Sequence, residues 1–273
     1  MRTLGANARA QGRKTPPYET IPACANRSGT MTITLFQLNP DIDRAPLREA
    51  FARDGRVQVR DFLVPEAAAT IRQVLEHQTR WGLACQAGEG GPQSFRPEAI
   101  AAMSADERGA LVQSLHRAAA SGEYAVRFNN YPMLDAYLQG WDRGSPQDLL
   151  LEHINDQPFL DLAREICSIP ELRKADAQAT LFAPGDFLGL HTDSHVAEGW
   201  RVAYVMNFAD PEWKSDWGGY LNFLDEDGDV VCGWKPRFNT LNMLAVPQRH
   251  AVSYVPPFAP PHRFAITGWL RDR

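Results

Sequence analysis

The sequence predicts a mostly β chain with a helical buttress (α+β): a jelly-roll β core in the C-terminal part, with N-terminal helices packed outside it. Three observations carry this. From about residue 175, seven short runs of strand-forming residues follow one another with turn residues between them. Upstream, apolar residues recur at helical spacing instead. Asp227-Gly228, between two of the late runs, is a strong hairpin signal.

In chain order, Pro46 to Arg53 reads as a short helix, and Val57 to Leu63 alternates as a strand. Pro65 suits a first helical turn. The helix it opens runs to about His77, with Ala67, Ile71, Val74 and Leu75 on one face. The glycines of 88–93 suggest a mobile loop. Ser104 is a plausible N-cap for a helix to Ala120, with Glu107 completing a capping box. Tyr124 to Phe128 reads as a strand and Asn129-Asn130-Tyr131-Pro132 as a turn; Pro158 to Cys167 is a helix. The late strand runs are 177–182, 201–208, 219–224, 230–234, 240–246, 251–255 and 263–270. Regular short strands of this kind suit a sandwich or barrel.

The chain has 273 residues and a net charge of −5. An acidic balance argues against a primary nucleic-acid binder. Cys24, Cys85, Cys167 and Cys232 form no CxxC pair, so reduced thiols in a cytoplasmic protein fit best. No run of 18 apolar residues suggests a membrane span. Residues 1–30 carry five basic residues against Glu19 alone and lack an apolar signal core, which reads as a disordered leader. Residues 31–273 read as a single domain, with helical support over 45–170 and the jelly-roll core over 174–271.

His191-Thr192-Asp193 is the pattern that carries chemistry. In a strand, residues i and i+2 share a face, so an imidazole and a carboxylate can bind one metal ion side by side. His250, from a distant strand, would complete a 2-His-1-carboxylate set with open coordination positions, as in non-haem Fe(II) oxygenases. The triplet alone fits a loop histidine bonded to its neighbour equally well. Its setting argues otherwise: strand-like runs separate Asp193 from His250, and Arg263 follows His250 by 13 residues at the start of another run.

Pro184-Gly185-Asp186, His191-Thr192-Asp193, 201–207, Gly218-Gly219 through Phe223, Arg249-His250 and 263–269 occur in an order and spacing that resembles the Fe(II)- and 2-oxoglutarate-dependent oxygenases, prolyl-hydroxylase-like branch. The resemblance covers about 174–271 and implies a double-stranded β-helix. It implies that His191, Asp193 and His250 are iron ligands and that Arg263 holds the distal carboxylate of 2-oxoglutarate, with Thr267 adding a hydroxyl and Tyr204 an aromatic hydroxyl nearby. Val205 is the alternative register for Tyr204. Ala183 stands where many relatives carry a Tyr, so Gln178, Thr180 or Asn222 is expected to complete the pocket. The implied cofactors are Fe(II) and 2-oxoglutarate; ascorbate rests on the family alone. A retained Asp193 favours hydroxylation over halogenation.

His195 is a weaker candidate for a fourth ligand, and His262 for an anion contact. Arg127 reads as an ion-paired structural residue before a substrate contact. The expected partner is a peptidyl or small-molecule substrate, with no nucleic acid and no membrane; the oligomeric state stays open. Two alternatives remain: a catalytically inactive cupin-like metal-binding or sensor module, and a nucleic-acid demethylase of the same fold. The latter would want two arginines six residues apart, whereas Arg263 and Arg271 are eight apart.

Overall fold

The computed structural model describes residues 34–193 and 198–273. The expected leader and His195 lie outside the described residues. Among these, the strands join one antiparallel sheet that curls around a cavity.

Helix α1 (Arg44–Asp54) starts at Asp43, whose carboxylate accepts the Ala45 N–H, and stops at Gly55 in the left-handed region. Strand β1 (Arg56–Arg60) is shorter than expected because Asp61 takes φ 49°, which turns the chain before Phe62 and Leu63. Helix α2 (Pro65–His77) and helix α4 (Ala105–Ala120) follow the sequence reading, and α4 carries the Ser104–Glu107 capping box. Helices α3 (Pro97–Ala102), α5 (Met133–Gln139) and α6 (Pro146–Asn155) were not foreseen. Helix α7 (Gln157–Cys167) buries Phe159, Leu160, Leu162, Ala163 and Ile166.

Strands β2 (Gly82–Ala87) and β3 (Gln93–Phe95) form a hairpin across the glycine-rich segment. The expected loop is therefore a structured turn: Gly88–Gly90 is one 3-10 turn, and the Gly88 N–H bonds the Tyr124 carbonyl. Strand β4 (Ala125–Tyr131) takes in the asparagines expected to turn. The correction has a tertiary cause. Asn129 and Asn130 pair with Leu181 and Thr180, and the Asn129 amide donates to Asp186.

The remaining strands are β5 (Lys174–Ala175), β6 (Gln178–Phe182), β7 (Phe187–Thr192), β8 (Trp200–Asn207), β9 (Leu221–Leu224), β10 (Val230–Trp234), β11 (Thr240–Ala245), β12 (Arg249–Val252) and β13 (Arg263–Arg271). The turn at Asp227-Gly228 joins β9 to β10, with Gly228 at φ 90°. The sheet runs β1-β11-β8-β13-β6-β4-β7-β12-β9-β10. β4 thus links a larger half to a smaller half.

Strand alternation divides the apolar residues between two cores. Tyr204, Met206, Leu241, Met243, Phe264 and Ile266 face outward and meet Ile71, Leu75, Leu150, Phe159 and Ile166 from the helices. This is the helical buttress. Phe128, Phe182, Leu221, Phe223, Val252 and Val255 belong to the second core, on the concave side. Burying each such large side chain contributes roughly 1.5–3 kcal/mol, so both faces hold the curl that forms the cavity.

Candidate metal and anion site

Strands β7 and β12 pair with His191 opposite His250. The two rings lie 4.2 Å apart, centroid to centroid. Asp193 follows β7 directly. Its carboxylate oxygens stand 3.8 Å from His191 Nε2 and 3.7 Å from His250 Nε2. One potential ligand atom from each of the three lies within 4.8 Å of the other two. Asp193 and His250 are buried.

The back of each ring is anchored. His191 Nδ1 lies 3.0 Å from the Gly189 carbonyl, and His250 Nδ1 lies 2.9 Å from the Gln248 carbonyl. A carbonyl only accepts, so each Nδ1 donates to it, which leaves each Nε2 as the ring nitrogen available to a metal ion beside Asp193. Burial, and then the neighbouring His191, hold His250 below the ordinary imidazole range. A neutral imidazole pair with one carboxylate fits a divalent ion in its donor set.

Arg263 opens β13 and is 3% exposed. Its Nε donates to the Gly219 carbonyl at 2.6 Å, and its guanidinium lies 4.4 Å from the Phe182 ring centre. Gly219, at φ +67°, leaves the room: a Cβ there would stand 2.6 Å from Arg263 Cδ. Among the described residues no carboxylate pairs with this arginine, and desolvation alone pulls it down to about 9. A buried cation without an anion is a prepared anion site.

One cavity of about 700 Å³ contains His191, Asp193, His250 and Arg263. Ala265, Thr267 and Trp269 line it too, so the β13 face is the one expected from alternation. Gln178 and Thr180 also line it. Asn222 does not: it lies on the other face of β9, toward Gly233.

Tyr204 borders the cavity, but its hydroxyl donates to the Asp176 carbonyl at 2.7 Å and its ring packs on Phe159. The hydroxyl is thus committed to the protein core, and the alternative neighbour Val205 also borders the cavity. Arg127 pairs with Asp186 at 2.5 Å, as a structural arginine would. Burial pushes the Asp186 carboxyl up to about 6, against Arg127 and the N–H groups that hold it. His262 faces Glu76 and Phe264, outside the cavity lining. Arg271 pairs with Asp176 and Glu198, also away from the lining.

Two contributions were missed in the sequence. Tyr124 lies 6.0 Å from His191, ring to ring, and burial with the Asp193 charge pushes its hydroxyl up to about 12. Gln86, Pro92, Gln93 and Ser94 bring the hairpin to the cavity. Neither carries a local motif; both arrive through pairing with distant strands.

Residues 177–271 match the family model described as the 2OG-Fe(II) oxygenase superfamily. No curated protein sequence matches the chain. Among solved structures, the oxygenase fold extends beyond the matched segment. An oxidoreductase of the 2OG-Fe(II) oxygenase family from Burkholderia pseudomallei aligns at 13% identity and TM-score 0.53, covering 87% of this chain and 94% of that one. A prolyl-4-hydroxylase from Pseudomonas putida aligns at 16% identity and TM-score 0.52, covering 87% and 95%. At these identities the likeness is one of fold. No helix among the described residues is long and apolar enough to cross a membrane.

Proposed function

We propose that this chain is an Fe(II)- and 2-oxoglutarate-dependent dioxygenase. In this reading it hydroxylates an unactivated C–H bond of a prolyl, other peptidyl or small-molecule substrate, releasing succinate and carbon dioxide. The observation that carries it is the sharing of one cavity by a two-histidine, one-carboxylate cluster and a buried arginine that no carboxylate among the described residues pairs. The prolyl choice leans on the fold shared with the Pseudomonas putida prolyl-4-hydroxylase.

His191, Asp193 and His250 would hold the ferrous ion. Arg263 would grip the distal carboxylate of 2-oxoglutarate with paired N–H donors, and Thr267 would offer a hydroxyl on the same strand face. When bound, the iron and 2-oxoglutarate would supply the activation of dioxygen, the oxidant, with one oxygen atom going to succinate as 2-oxoglutarate loses carbon dioxide and the other to the hydroxylated product. The chain's own part is positional. Gly189 and Gln248 fix the imidazole rings, Phe182 and Gly219 fix the guanidinium, and the apolar walls limit water around both. A reducing, cytoplasmic setting with ascorbate as an accessory reductant belongs to the same proposal, and the unbridged Cys85, Cys167 and Cys232 support the reducing part.

Calorimetric titration tests this reading. 2-Oxoglutarate should bind the protein loaded with a divalent metal and bind at least tenfold more weakly to the metal-free protein. Equal binding with and without metal, or none in either, would overturn it.

A further inference from the structure

The cavity is larger than the metal and anion site needs, and its charge is sparse. Among the described lining residues, Asp193 and Arg263 are the only side chains with a full charge. If the function proposed above holds, both are already committed. The ferrous ion takes Asp193, the co-substrate dicarboxylate takes Arg263, and the four charges cancel. Among the described lining residues, nothing ionic is then left to meet a charged substrate.

What remains is neutral. Gln178 and Thr267 face each other across β6 and β13, with Val205 next in the row on β8. Gln86 and Gln93 add amides from the hairpin. Trp269, stacked on Trp200 at 3.9 Å, contributes an indole wall. Moving an ionised group from water into such a lining without a partner is costly, whereas an amide or hydroxyl group can exchange its water hydrogen bonds for those of Gln178 and the hairpin amides.

We propose that the part of the cavity beyond the metal and anion site accepts an uncharged substrate group bearing amide or hydroxyl functions, with Gln178 as its specificity-determining side chain. This inference rests on the oxygenase reading. It disfavours free amino acids, nucleotides and substrates that carry a carboxylate or ammonium next to the reacting carbon.

The test uses the full chain with Zn(II) and 2-oxoglutarate, and N-acetyl amino-acid N-methylamides as probes. These share one neutral backbone and differ only in side chain. Binding is followed by the fluorescence of the cavity tryptophans, which needs no turnover. Among matched pairs, the Gln and Asn probes should bind at least tenfold more tightly than the Glu and Asp probes, and neutral probes should outrank Lys and Arg. In Gln178→Glu the order should move toward the Lys probe by about tenfold, and Gln178→Met serves as the folding control. A charged probe that binds wild type as well as its neutral partner overturns the proposal, as does a set in which no probe differs from buffer. Failure of the oxygenase reading shows separately, as loss of metal-dependent 2-oxoglutarate binding before any probe is added.

Discussion

Replacing Arg263 with methionine separates a ligand-binding arginine from a structural one. Burial pulls this guanidinium from 12.5 to about 9, which corresponds to a desolvation cost on the order of 5 kcal/mol in the ligand-free protein. Arg263→Met removes that cost. It also loses the contact with Phe182, worth about 0.5–2 kcal/mol, and leaves the Gly219 carbonyl unpaired at about 1–3 kcal/mol. Together the losses offset from about a third to all of the gain, so the ligand-free variant should be at least as stable as wild type, by up to roughly 3.5 kcal/mol. Breaking a paired buried ion would cost about 3–5 kcal/mol. With metal bound, wild type should gain roughly 2.7 kcal/mol from 2-oxoglutarate at a hundred times Kd, and the variant should gain almost none. Thermal and urea unfolding with and without 2-oxoglutarate reads both numbers. A variant destabilised by several kcal/mol yet still stabilised by 2-oxoglutarate would refute the reasoning and make Arg263 a structural residue.

Three further outcomes follow from the geometry. His250→Ala should weaken divalent-metal binding by at least a hundredfold in a competition titration, and retained affinity would remove His250 from the ligand set. Gly219→Ala forces a Cβ to 2.6 Å from Arg263 Cδ at a positive φ; it should cost about 1–3 kcal/mol in stability and weaken 2-oxoglutarate far more than metal, whereas equal weakening would contradict the assigned contact. Asp186 has a folded pKa of about 6, above its ordinary value of about 3.9. The folded state therefore binds the proton more tightly than the unfolded one, and the resulting stability is full below pH ~4 and lost as pH rises through about 6. The melting temperature of Asp186→Asn should gain on wild type between pH 4 and 7, and a constant difference would show that Asp186 does not titrate there.

The parts legible in the sequence are those whose signal is local. The α2 and α4 starts were marked by Pro65 and Ser104, and β6, β8, β9, β10, β11 and β13 by alternation and turn residues, whereas β7 had no strand run of its own and β12 begins two residues before its expected run. His191, Asp193, His250 and Arg263 could be singled out because a metal cluster and a carboxylate partner demand particular residue types. The rest depends on long-range pairing. Asn129 looks like a turn residue until Asp186 and Leu181 take its amide. The hairpin of β2 and β3 is polar and glycine-rich, and its place at the cavity is set by β4. Both faces of β8 are largely buried, so alternation cannot tell which side Tyr204 takes; the Asp176 carbonyl decides it.

On the proposed function, one ferrous ion and one 2-oxoglutarate share this cavity. Anaerobic titration of the full chain with both, watching for the visible metal-to-ligand charge-transfer band, tests it most directly. Wild type should show the band, Asp193→Ala should lose it and Arg263→Met should weaken it. A well-folded wild type that binds both components without producing the band would contradict it.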